Sequence, residues 1–148
     1  MTTISEAAQA AGIGVETIRF YERKALIRKP PRPASGGARD YGGATLERLG
    51  FIVGAKRLGF SLAEIAELLA LRAAPDTECL SFRERARIKR AEVQARIEGL
   101  ARVREALDAL IDACPGQGAL SGCAILGAIE ADGAGPGPGP APSGPARR

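Results

Sequence analysis

The sequence predicts an all-α protein, mainly a small basic helical domain followed by one long helix. Aromatic residues make up 4% of the 148 residues and Trp is absent, so any core rests on Leu, Ile, Val and Ala. That composition suits helices packed on helices better than a sheet. Residues 80–113 read as one uninterrupted helix. Along it Val93, Ile97, Leu100, Arg104, Leu107, Ile111 and Cys114 recur at alternating spacings of four and three. That is the pattern of a coiled-coil seam with one polar interruption at Arg104.

The elements follow in order. Ile4 to Ala11 is a short Ala-rich helix for which Ser5 is the expected N-cap. Gly12-Ile13-Gly14 breaks it, and Val15 to Lys24 resumes with Ile18 and Tyr21 as candidates for one face. Two short helices across a Gly-containing turn, the second bearing Arg19 and Arg23, form a helix-turn-helix pattern that many helix pairs share. Lys29 to Gly43 is rich in Pro, Gly and basic residues. Its prolines forbid a helix, and Arg39 and Tyr41 alternate as along a short strand. The segment reads as a wing, hairpin or loop, with a flexible linker as the alternative.

Ala44 to Leu58 is a further helix, with Leu46, Leu49, Val53 and Leu58 as its apolar positions and Gly59 at its end. Ser61 and Glu64 form a capping box opening Ser61 to Leu71, with Ile65, Leu68 and Leu69 facing inward. Residues 73–77 break the chain before the long helix. An amphipathic helix lying on its own domain is one reading of that helix. A first domain this small leaves too little surface to cover the stripe, which favours a helix–helix dimer. Residues 133–148 are low-complexity Pro/Gly sequence that cannot build a core and read as a disordered tail.

Charge is unevenly placed. Residues 1–60 carry ten Lys/Arg against five acids, whereas the remainder is close to neutral. A basic first third suits a nucleic-acid face, with a solvated surface as the alternative. The absence of His removes the usual general base and the commonest nitrogen ligand for zinc, so no enzyme is expected. With no signal peptide and no long apolar run, the expected location is cytoplasmic and off the membrane.

Cys79, Cys114 and Cys123 are the only cysteines, and in a cytoplasmic chain they point to metal or redox chemistry. Cys79 and Cys114 stand at opposite ends of the long helix, roughly 50 Å apart at about 1.5 Å per residue. Two such helices paired antiparallel bring Cys79 of one chain beside Cys114 of the other, and Cys123 can fold back to complete a three-sulfur cluster. The spacing therefore suggests a homodimer with two thiolate sites, each split between subunits.

With these elements in place the chain strongly resembles the MerR family of transcriptional regulators, and within it the mercury(II)-responsive branch. The resemblance runs from about Ile4 to Ile129. It is carried by Ala10-Ala11-Gly12, by Val15 through Lys24 (VETIRFYERK), by Arg39-x-Tyr41 and by Arg57 through Ile65 (RLGFSLAEI). It implies a winged helix-turn-helix DNA-binding domain over residues 1–72, with the helix-turn-helix at about 4–23 and the wing at about 28–43. A linker and an antiparallel coiled-coil dimerisation helix follow over 73–113, then a metal-binding loop and short helix over 114–132. Carried over residue by residue, Thr17, Arg19 and Arg23 face DNA from the second helix. Tyr21, Arg39 and Tyr41 contact phosphates or brace the wing. The chain departs from the family pattern at Ala25, which stands where Gly is usual. It departs again at Asp40, an acid in a wing about one residue longer than usual.

What the resemblance implies for function is a homodimer on double-stranded promoter DNA, repressing without metal. With Hg(II) bound by Cys79 of one subunit and Cys114 and Cys123 of the other, the DNA is untwisted for RNA polymerase at a mercury-resistance operon. Soft thiolates select soft ions, and the missing fourth ligand disfavours zinc. Lead- or cadmium-responsive regulators of the same family remain an alternative, although Ile13 stands where those carry a further cysteine. A thiol redox sensor with a Cys114–Cys123 disulfide remains another.

Overall fold

The computed structural model describes residues 1–134. Among them every regular element is a helix: α1 (Ile4–Ala11), α2 (Val15–Arg23), α3 (Ala44–Arg57), α4 (Leu62–Ala73), α5 (Cys79–Ala113) and α6 (Ala124–Ala134). A tight helical turn, Leu120–Gly122, precedes α6. Gly133 and Ala134, expected to open the tail, instead close α6. Residues 135–148 lie outside the described residues. The chain divides after Phe82 into two units. The division falls ten residues beyond the expected boundary because Phe82, in the first turn of α5, packs on the core of the first unit.

α1 is capped by Thr3 rather than Ser5. The Thr3 hydroxyl accepts from the Glu6 N–H at 3.3 Å, and the Glu6 carboxylate accepts from the Thr3 N–H at 2.7 Å. Ile4 is already helical, so the reciprocal box closes one residue before it and Ser5 falls inside the first turn. Gly12 ends α1 in the left-handed conformation that glycine adopts without strain (φ 67°). The turn to α2 is short enough that α1, α2 and α3 pack round one core. Ile18, Leu49, Ile52 and Ile65 are its fully buried side chains, each contributing about 1.5–3 kcal/mol.

α3 presents Leu49, Ile52 and Ala55 to that core. Leu46 and Val53 are only half-buried, and Leu58 is 69% exposed. Apolar residues lie all round this helix, so periodicity does not select a face. Leu58 also lies just past the last helical residue and so belongs to no helical stripe. α4 follows expectation. The Ser61 N–H donates to Glu64 Oε1 at 2.8 Å, the Glu64 N–H donates to Ser61 Oγ at 3.2 Å, and Ile65, Leu68 and Leu69 are buried.

Between α2 and α3 the wing carries no strand, contrary to the alternation of Arg39 and Tyr41. Pro30, Pro31 and Pro33 have no N–H to give a ladder, and Gly36 and Gly37 take positive φ. Side chains hold the wing instead. The Arg39 guanidinium donates to the Pro30 carbonyl at 2.7 Å. Asp40 accepts from the backbone N–H groups of Thr2 (2.8 Å) and Gly42 (3.1 Å), and the Tyr41 N–H donates to the Thr2 carbonyl at 2.7 Å. These bonds hold the Asp40 carboxyl below the usual carboxylate range, chiefly through the Thr2 N–H. The acid that departs from the family pattern ties the wing to the start of α1.

Ala25 has φ 56°, alone among the described non-glycine residues in the left-handed region. The turn is imposed from both sides. The Ala25 N–H donates back to the Glu22 carbonyl, while Leu26 and Ile27 return to the core. An L-residue there costs on the order of 1 kcal/mol. Ala25→Gly is therefore expected to raise the unfolding free energy by about 0.5 kcal/mol at most, because the extra freedom of glycine in the unfolded chain offsets much of the relieved strain. Urea unfolding checks this as a higher midpoint at unchanged m.

Candidate functional site

α2 exposes Arg19 and Arg23 and leaves Thr17 half-buried, as a helix with one core face requires. Arg19 donates to Glu16 Oε1 at 2.8 Å; both side chains are mostly exposed, so this surface pair is readily exchanged for another anion. The Phe20 ring lies half-buried beneath the cations of Arg23 (5.9 Å) and Lys24 (5.7 Å). Tyr21 and Tyr41 are both buried, which puts them among the bracing groups of the site. The Tyr41 hydroxyl donates to Glu22 Oε1 at 2.7 Å and so joins the wing to α2. Burial, followed by that carboxylate, pushes the Tyr41 phenol up to about 12. Burial alone raises Tyr21.

α2 and the wing enclose an open cleft of about 530 Å³, whose rim includes Arg19, Arg23, Lys29, Arg32 and Arg39 against the single carboxylate of Glu22. Four of the six residues singled out from sequence as DNA-facing therefore meet in one place: Arg19, Arg23, Arg39 and Tyr41. Lys29 and Arg32 were not among them. Their visible signal is the alternation of cations with prolines in Lys29-Pro30-Pro31-Arg32-Pro33, which reads equally as a linker.

The second candidate site is built on thiols, all three of them free. Cys79 is the exposed first residue of α5, and Cys114 follows its last residue, with its N–H bonded to the Ile111 carbonyl at 3.1 Å. A 35-residue helix rises about 52 Å between its ends. Cys123 stands immediately before α6, where its sulfur accepts from the Leu126 N–H at 3.5 Å. That N–H lowers the Cys123 thiol, helped by the Ile125 N–H and slightly by the nearby Cys114 thiol, while burial acts the other way. The structure thus brings Cys114 and Cys123 together. Among the described residues of one chain no three His, Cys, Asp or Glu side chains could hold a metal ion. Two nearby thiols are what one chain supplies there, and their soft chemistry fits a soft ion.

On α5 the apolar side chains Ile97, Leu100, Leu107 and Ile111 are each at least half exposed. None of the described helices is long and apolar enough to cross a membrane.

Residues 2–71 match the family described as MerR HTH family regulatory protein, and residues 46–110 match the one described as MerR, DNA binding. The chain is 41% identical over 130 residues to the mercuric resistance operon regulatory protein of Shigella flexneri, covering 88% of each. This chain belongs to the MerR family. Like other MerR-family proteins it is a transcriptional regulator built on a helix-turn-helix domain and a long helix. Among solved structures it is similar to the regulator PbrR691 of Ralstonia metallidurans CH34 in complex with lead(II). The TM-score is 0.74 at 30% identity, covering 87% of this chain and 99% of that one. It is also similar to the MerR of Bacillus megaterium MB1 in complex with mercury(II), with a TM-score of 0.67 at 30% identity, covering 88% and 99%.

The raised phenols give this MerR-family domain an alkaline limit. The Tyr41 pKa is higher folded than unfolded. Its stabilising contribution is therefore complete below about 10 and is lost as pH rises through about 12. Spectrophotometric titration is expected to show neither of the two tyrosines ionising at the ordinary value, with the upper step removed in Tyr41→Phe.

Proposed function

We propose that this MerR-family chain is the Hg(II)-responsive regulator of a mercury-resistance operon, working in the cytoplasm as a homodimer and carrying no enzymatic activity. Each metal site takes Cys79 from one subunit and Cys114 with Cys123 from the other. The observation that carries this reading is the incomplete thiol site. One chain gathers Cys114 and Cys123, and Cys79 stands at the far end of a 35-residue helix. Cys79 and Cys114 are 35 residues apart in sequence (114 minus 79), a whole number of heptads, so both fall on one stripe with the exposed apolar residues. Pairing that stripe antiparallel with a second copy covers it and brings the third sulfur to each pair.

Thr17, Arg19 and Arg23 meet promoter DNA from α2. Arg39, Tyr21 and Tyr41 serve as the braces that hold the wing and helix in register, a role their burial and hydrogen bonds support. The apo dimer holds the promoter in a form RNA polymerase cannot use. Metal drives activation only if the thiols bind it more tightly in the untwisted state, since equal affinity shifts nothing. A lead-responsive regulator is the second reading, favoured by the likeness to the lead(II)-bound structure.

The test is a titration of the reduced protein with Hg(II), Pb(II) and Cd(II) in excess competing thiol, followed by ultraviolet charge-transfer absorbance. Hg(II) is expected to be retained, with one site per cysteine set. Cys79→Ser and Cys114→Ser homodimers are each expected to lose retention and metal-dependent transcription, while mixed dimers of the two regain one site. Intact retention in either single variant, or preferential retention of Pb(II), would overturn the shared mercury site.

A further inference from the structure

We propose that Phe82 is the positioning residue that couples the thiol site to the DNA-binding unit. Its ring fastens the first turn of α5, and Cys79 with it, to the core of that unit. The inference rests on the shared thiol site proposed above and assigns its coupling to one side chain.

α4 ends against the core, where Leu71 packs on it and the Arg72 guanidinium lies 5.3 Å from the centroid of the Phe51 ring. None of the apolar side chains that follow, Ala73, Ala74, Pro75, Cys79 and Leu80, joins that packing. The backbone hydrogen bonds of the stretch are local. The Ala74 N–H donates to the carbonyls of Ala70 and Leu71, the Thr77 N–H to Ala74 and the Ser81 N–H to Glu78. Cys79 and Leu80 are exposed. Phe82 is the next side chain to reach the core, and it is the one aromatic residue beyond Phe60.

Cys79 and Phe82 are three positions apart, so they share one face of the first turn, about 4.5 Å apart along the axis. Both belong to the first unit, and the division falls immediately after Phe82. A helical turn with a thiol at one end and a packed aromatic ring at the other passes a displacement of the sulfur on to the core. The ring is large and stiff, with only two side-chain torsions to absorb the movement. Without it, residues 74–78 would take up the displacement, because that stretch has no apolar hold on the core. Linkage makes such coupling reciprocal. Affinity for DNA changes with metal by the same factor as affinity for metal changes with DNA. Phe82 is neither a thiol nor a residue of the cationic cleft. Its loss therefore removes the factor and leaves each site its own affinity.

The experiment measures the dissociation constant for a duplex selected from a randomised pool, with and without Hg(II). It also measures retention of Hg(II) against excess competing thiol, with and without that duplex. The full chain is used as wild type, Phe82→Ala and Phe82→Leu. In wild type the two ratios are expected to agree and to differ from one by about fivefold or more. In Phe82→Ala both are expected to fall within about twofold of one, while each site's affinity in the absence of the other ligand stays within about twofold of wild type. Phe82→Leu, which still fills part of the space, is expected to keep an intermediate factor. A second readout needs no metal. The N–H groups of residues 83–86 close the first turn of α5, and in Phe82→Ala their hydrogen exchange is expected to quicken while α2 and α3 keep their protection. A wild-type factor in Phe82→Ala, unchanged exchange at residues 83–86, or a factor of one in wild type would each overturn the proposal. A wild type that fails to retain Hg(II) or to bind the duplex would instead refute the reading on which it rests.

Discussion

The hydrogen bond from the buried Tyr41 hydroxyl to Glu22 is the constraint on which the DNA-facing half of the molecule depends. No ladder of backbone bonds joins the wing to the helices, so its position is set by side chains that reach across. Tyr41 is the deepest of these. Its ring packs in the core that includes Ile18 and Leu49, while its hydroxyl fixes Glu22, the one carboxylate lining the cleft. A bond to an ionised carboxylate in a partly buried place is among the stronger kinds, and leaving that oxygen unpaired would cost more than the bond contributes. Asp40 supplies the second tether at the exposed end of the wing. Helix and wing are thereby tied to each other across the cationic cleft.

The helices were legible in the sequence because their signals are local. The Ser61 to Glu64 box, Gly12 and the four-three spacing of α5 each depend on residues within one or two turns. What was not legible needed partners distant in the chain. Asp40 reads as an oddity until Thr2 is beside it, 38 residues away. Leu58 reads as core because it is apolar, yet it lies past the helix end where no face exists. Arg39 and Tyr41 do alternate, but alternation marks a strand only where a second backbone can pair, and the prolines deny that. The N-cap of α1 is Thr3 rather than the expected Ser5, because both are good caps and only Thr3 has Glu three positions on.

The thiols show the same division. Their spacing along α5 was visible because a helix converts residue number into length. The special position of Cys123 was not, because it depends on α6 beginning at Ala124 and turning its first N–H groups toward the sulfur. Backbone donors hold the Cys123 thiol toward its thiolate, the form in which sulfur acts as ligand or nucleophile. The chain places this thiol at one end of α5 and a single exposed sulfur at the other.

The strandless wing has a consequence for solution behaviour. A hairpin wing would carry two open edges, each a row of unpaired N–H and C=O groups ready to add a strand from another molecule. Here the same stretch offers prolines without donors and cations that repel their copies, and the backbone groups of Tyr41 and Gly42 are spent on Thr2 and Asp40. Two copies brought side by side would find no β-edge in the wing through which to zip together.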